Sequence, residues 1–125
     1  MKNLIQRKPC PHAKWCGGCS FQGVDYTAQL KQKEADVKAL ADEAGLYRVR
    51  ISPIKPSPCL YGYRNKMEYS FGDMEKGGEI TLGMHQRERY MSVITTDECQ
   101  IVPNDFNEIL KYTLDFVRER GYSKY

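Results

Sequence analysis

The chain has 125 residues, 41% of them hydrophobic and 28% charged, with a net charge of +3. That composition excludes a disordered tail and gives room for one domain with a single core. No run of about 18 apolar residues is present and the first nine residues are polar and basic, so neither a membrane span nor a signal peptide is read and a cytoplasmic location is expected.

In a reducing compartment, clustered cysteines bind metal more often than they form disulfides. There are five, an odd number that also leaves one thiol over in any all-disulfide scheme. Charge is unevenly spread. Residues 1–24 carry Lys2, Arg7, Lys8 and Lys14 without an acid, and residues 46–72 carry Arg48, Arg50, Lys55, Arg64 and Lys66 against Glu68 alone. Separate cationic blocks suit a face turned toward a polyanion.

Residues 9–23 (PCPHAKWCGGCSFQG) have the composition of a loop. From Asp25 to Ala44 the pattern is helical, with Tyr26, Leu30, Val37, Leu40, Ala41 and Ala44 on one face. Asp25 is the expected N-cap and Gly45 the C′ residue. Pro53, Pro56 and Pro58 make an extended connector, with a short strand expected at Val49–Ile54. The period then changes to two, and strands are predicted at Arg64–Phe71, Glu79–His85 and Tyr90–Thr95. Turns at Gly72–Gly78 and Gln86–Arg89 join them into an antiparallel meander with one apolar and one polar face. A second helix is predicted from an Asn104 N-cap to about Gly121, with Phe106, Ile109, Leu110, Leu114 and Val117 on one side. The fold class is α+β: a small antiparallel sheet flanked by two helices that cover its apolar side, and a cysteine-rich loop.

Cys10, Cys16 and Cys19 form C-x5-C-G-G-C, and Cys99 follows 80 positions beyond Cys19. Three thiolates so close in sequence converge only if the backbone curls. Gly17 and Gly18 would allow this by adopting positive φ and by leaving room for sulfur beside backbone N–H groups. Coordination by four cysteines serves both zinc and iron–sulfur clusters. Zinc sites usually pair their ligands in two knuckles, so the three-plus-one distribution favours a [4Fe-4S] cluster while leaving zinc open. His12 reads as a solvated loop histidine, and Cys59 as a buried or incidental thiol.

The segments CPHAKWCGGCSFQ, YTAQLKQK, YGYRNKMEYSFG, LGMHQRERY and DEC, in this order from Cys10 to Pro103, resemble the iron–sulfur class of SAM-dependent RNA uracil-C5 methyltransferases. The resemblance implies that Cys10, Cys16, Cys19 and Cys99 hold a [4Fe-4S] cluster and that the substrate is ribosomal RNA. It also implies methyl transfer from SAM to uracil C5, through a cysteine adduct at C6 and a general base. No glycine-rich SAM-binding turn, nucleophilic-cysteine segment or general-base glutamate of that family is present, nor its N-terminal TRAM barrel. The chain is therefore expected to be one cluster-binding, RNA-contacting domain cut from a longer enzyme, and inactive alone. Arg64, Asn65, Lys66, Arg87 and Arg89 are the candidates for phosphate contact, with His85 and Tyr90 for base stacking. Trp15 is expected to shield the cluster. The rival expectation is a free-standing zinc module with four cysteine ligands that binds nucleic acid or a protein partner.

Overall fold

The computed structural model describes residues 8–124. In chain order the elements are α1 (Tyr26–Glu43), β1 (Ser70–Gly72), β2 (Thr81–Gln86), β3 (Arg89–Thr95) and α2 (Asn104–Glu119). The strands form one antiparallel sheet in the order β1-β2-β3, so the expected α+β class with a meander holds. No helix of the described residues is long and apolar enough to cross a membrane. The chain divides into two compact units. One joins the cysteine-rich segment up to Ser20 with everything from Cys59 onward, and the other is Phe21–Pro58.

In the first unit the register is set by Phe71 opposite Leu82 and by Met84 opposite Ile94, with an irregularity between His85 and Gln86. The loop from β1 to β2 is closed by Asp73, whose carboxylate accepts the Gly77 N–H at 3.0 Å. The turn between β2 and β3 is two residues long and places Glu88 at φ 62°. β1 is shorter than its alternating sequence suggests. The stretch before it hydrogen-bonds elsewhere, since Gly62 N–H donates to Gln100 O at 3.0 Å and Arg64 N–H to Ile101 O at 2.9 Å.

Leu82, Leu110 and Leu114 make the core, with Tyr69 and Ile80 packed against them. The alternation expected in β2 places Leu82 and Ile80 correctly. The opposite face of β2, expected to be polar, is buried at Thr81 and Gly83. The Thr81 hydroxyl donates to Val93 O at 2.7 Å, and Gly83 is buried against the backbone of Ile94 and Thr96. Of the two helices expected on the sheet, α2 packs against β2, whereas α1 belongs to the second unit. Pro103, not Asn104, caps α2, and Phe106 N–H donates to Pro103 O at 3.1 Å. Leu110 and Leu114 are buried, Phe106 and Val117 half-buried, and Ile109 is exposed. Arg118 fixes the last turn of α2 to the sheet by donating from Nε and Nη2 to Ile80 O at 3.1 and 2.8 Å.

In the second unit, the Asp25 carboxylate caps α1 by accepting from Thr27 and Ala28 N–H at 2.9 and 3.3 Å. Gly45 at φ 72° ends it, as predicted. The expected apolar stripe is present but unburied: Val37 and Leu40 are 52% and 65% exposed. Polar contacts tie the connector to the helix, with Ile54 N–H donating to Glu34 Oε1 and Ser57 N–H to Tyr26 OH, both at 2.7 Å. The strand expected at Val49–Ile54 does not form. Val49 N–H turns back to Leu46 O at 3.3 Å, and the prolines beyond cannot donate to a ladder.

Candidate metal centre

The first three cysteines lie on a segment that folds back on itself. Ala13 N–H donates to Cys10 O at 3.0 Å, and Cys16 N–H to His12 O at 2.8 Å. The segment then docks on the β2–β3 hairpin. Cys16 bridges to Gln86, Gly17 N–H donates to His85 O at 3.1 Å, and Arg87 N–H donates to Trp15 O at 2.8 Å. Gly17 and Gly18 are not among the positive-φ residues, so the expected left-handed backbone is not what requires them. They are needed for space. A Cβ on Gly17 would stand 3.1 Å from His85 O, and one on Gly18 would stand 3.3 Å from Cys16 Sγ. The expected N–H to sulfur contact is present, from Gly18 N to Cys16 Sγ at 3.3 Å.

Cys99 comes from the loop between β3 and α2, where Asn107 holds both its backbone groups. Cys99 N–H donates to Asn107 Oδ1 at 2.9 Å, and Asn107 Nδ2 donates to Cys99 O at 3.0 Å. The Asn107 side chain is buried in making these bonds. Next to it, Glu98 N–H donates to His12 Nε2 at 3.1 Å, and Asp97 Oδ1 lies 3.6 Å from the same nitrogen. His12, read as solvated, is half-buried and joins the two cysteine-bearing loops. Its ring nitrogen and the Asp97 and Glu98 carboxylates lie within 4.8 Å of one another; the cysteine sulfurs supply no comparably tight triad among the described residues.

Electrostatics report the convergence of the four thiols. Burial pushes the Cys19 thiol above its ordinary value, and the neighbouring Cys16, Cys99 and Cys10 push it the same way against Arg64. Burial likewise raises Cys10, with Cys99 and Cys16 adding to it and the backbone N–H of His12 opposing. Cys10, Cys16, Cys19 and Cys99 therefore share one neighbourhood despite the sequence gap. Cys59 is exposed where a buried thiol was one expectation. No cysteine of the described residues is disulfide-bonded.

Thiols that burial holds toward the protonated form, as at Cys10 and Cys19, become ligands when a metal displaces the protons. The donors are all sulfur, which suits zinc or an iron–sulfur cluster and not a hard cation.

The residues expected to meet RNA fall into distinct groups. Arg64, Asn65 and Lys66 are exposed and precede β1 instead of beginning it. Lys66 pairs with Glu68 at 2.8 Å in an exposed ion pair, and Arg64 Nε donates to Lys66 O at 3.3 Å. His85 is half-buried, with Ser70 Oγ 3.4 Å from its Nε2 and Tyr90 O 2.7 Å from its Nδ1. Tyr90 stacks on it with ring centroids 4.9 Å apart and planes 5° from parallel, and is itself 77% exposed. Arg89 is exposed beside Tyr90. Arg87 is differently engaged, its Nη2 donating to Cys16 O at 3.3 Å and Cys19 O at 3.1 Å. Trp15 is half exposed, with Lys14 Nζ 4.5 Å above its ring.

No protein-family model matches the chain. Curated relatives do. The chain is 43% identical over 116 residues to an RNA methyltransferase of Clostridium tetani, and 43% identical over 116 residues to one of Clostridium acetobutylicum; both are named uncharacterized. It is 40% identical over 117 residues to a third protein so named, from Caldanaerobacter subterraneus. These alignments cover 93–94% of the chain and 25–26% of each relative, so the chain spans about a quarter of their length. The chain is a relative, along nearly its whole length, of a quarter-length portion of the RNA methyltransferases.

Proposed function

We propose that this chain is the metal-holding, RNA-contacting portion of a SAM-dependent RNA uracil-C5 methyltransferase acting on ribosomal RNA in the cytoplasm, with Cys10, Cys16, Cys19 and Cys99 ligating a [4Fe-4S] cluster. The observation that carries the reading is that two cysteine-bearing loops, 80 residues apart in sequence, are joined by the Glu98 N–H to His12 bond, with their thiols near enough to act on one another. The three-plus-one distribution of the cysteines along the chain supports iron over zinc, whose ligands usually come in two paired knuckles.

The bound cluster would supply four strong bonds that close a long loop, because methyl transfer from SAM to uracil requires no electron. The chain's own residues would then present the RNA face. Tyr90 offers its outer ring face to an unpaired base, held from behind by His85. Arg89, Arg64, Asn65 and Lys66 are exposed for phosphate and sugar contacts. The target base must leave its stack to be methylated, and a platform that binds an unpaired neighbour favours the open state. The nucleophilic cysteine, general base and SAM pocket would lie in the remainder of the enzyme, so this chain alone should neither bind SAM nor methylate RNA.

The test is anaerobic purification, followed by iron, sulfide and zinc analysis and titration with a uracil-bearing single-stranded RNA. Iron and sulfide in equal amounts, with salt-sensitive RNA binding, are expected. One zinc per chain and no iron would overturn the cluster, and absence of RNA binding would overturn the partner.

A further inference from the structure

We propose that Arg87 and Asn107 are positioning residues of the four-cysteine centre, holding the backbone of Cys16, Cys19 and Cys99 from the hairpin and from α2. The inference rests on the metal reading above and assigns the residues that set its geometry. Neither residue offers a ligand atom; each acts on the chain that carries the ligands.

The C-G-G-C loop is stretched across one guanidinium. Arg87 Nη2 donates to Cys16 O at 3.3 Å and to Cys19 O at 3.1 Å, so a single group spans the first and last residues of the loop. The Arg87 main chain is fixed in turn, its N–H donating to Trp15 O at 2.8 Å. The same strip carries Gly17 N–H to His85 O and the Cys16–Gln86 bridge. A cysteine-rich loop with two central glycines has little stiffness of its own. The hairpin supplies that stiffness, and Arg87 is the side chain through which it reaches both cysteines. Lysine could keep the charge, but on a flexible stem and without the rigid planar group whose single Nη2 meets both carbonyls.

Cys99 lies outside the strands and α2, so its backbone groups need partners from elsewhere. The Asn107 amide answers both, accepting from N–H at 2.9 Å and donating to C=O at 3.0 Å. Only 5% of Asn107 is exposed, on a helix face otherwise buried through Leu110 and Leu114. An amide buried among leucines is retained where its hydrogen bonds matter, and here both of those bonds go to one residue, Cys99. Groups that orient metal ligands commonly change metal affinity or activity by about 10–100-fold when lost.

The experiment compares anaerobically prepared wild-type protein with Arg87→Lys and Asn107→Asp. Three quantities are read: the rate of iron loss to a chelator, the EPR signature of the reduced centre, and the melting temperature of the metal-free protein. Both variants should lose iron about tenfold faster and shift the EPR signature. Arg87→Lys, at an exposed position, should melt like wild type when metal-free. Wild-type iron retention and an unchanged EPR signature in both variants would overturn the proposal. So would iron loss that merely follows a fall in metal-free melting temperature, since that is general destabilisation. Failure of the underlying metal reading looks different, because the wild-type protein itself would then hold no iron.

Discussion

Replacing Gly83 by alanine tests the packing that carries the hairpin. A Cβ there would lie 2.1 Å from Ile94 O and 2.7 Å from both Thr96 N and Thr96 Oγ1. Two of these atoms are backbone, so no side-chain rotation relieves the contact. Relief requires β3 to move away from β2, and the same ladder pairs Met84 with Ile94 and His85 with Val93. The cost should reach the top of the overpacking range, about 3 kcal/mol. For a domain of this size that corresponds to a loss on the order of 10 °C in melting temperature. Gly77→Ala is the matched control. Nothing lies within 4 Å of its added Cβ, and only the φ of 81° opposes the change, which costs roughly 1–2 kcal/mol. Thermal unfolding of both variants by circular dichroism measures the difference. A Gly83→Ala protein melting within about 2 °C of wild type, well under the shift expected for 1 kcal/mol, would refute the reasoning.

Leu110 is 1% exposed at the centre of the core, and Leu110→Ala should cost about 2–5 kcal/mol in denaturant unfolding. Lys124 beside Asp73, together with the Gly77 N–H, holds the Asp73 carboxyl below its ordinary value. A pKa lowered by folding contributes stability above the unfolded carboxylate range and loses it as pH falls through the folded value. Wild type should therefore be more stable than Asp73→Asn at neutral pH, with the gap closing on acidification; a pH-independent gap in melting temperature would contradict the pairing. Tyr90→Ala should weaken binding of single-stranded RNA by about 1–3 kcal/mol while Tyr90→Trp retains it, and equal affinities for wild type and Tyr90→Ala in a fluorescence titration would remove Tyr90 from the interface.

Local signals were legible wherever one residue decides the outcome. Asp25 and Gly45 bracket α1 as their chemistry requires, and the hairpin turns fall where glycines and short polar runs place them. What could not be read depended on distant partners. The alternation in Arg64–Phe71 marks an extended chain, yet at its start the Arg64 N–H bonds to Ile101 O instead of to a strand. The apolar stripe of α1 shows where a helix presents Val37 and Leu40, but nothing in periodicity says whether they are covered. β2 reads as half-polar because Thr81 and Gly83 are not apolar, although one bonds inward and the other makes room for β3.

At the candidate site the sulfur ligands stand out in the sequence because few chemistries use three cysteines in ten residues. The residues around them do not. An arginine in a polar turn reads alike whether it faces phosphate or peptide carbonyl, so the bonds of Arg87 to Cys16 O and Cys19 O were not legible in the sequence. Asn107 looks like any polar residue of an amphipathic helix until its amide is seen on Cys99. His12 within a cysteine loop was the available hint that a non-ligand side chain helps to close it. Its partner, Glu98 N–H, lies 86 residues away.

Metal content across a cysteine panel tests the central claim most directly. Cys10, Cys16, Cys19, Cys99 and Cys59 are each replaced by serine, and iron and sulfide per chain are measured under anaerobic conditions. Loss of most of the iron with each of the first four substitutions, and wild-type iron with Cys59→Ser, is the predicted pattern. Iron retained fully by Cys99→Ser, or lost equally with Cys59→Ser, would contradict it.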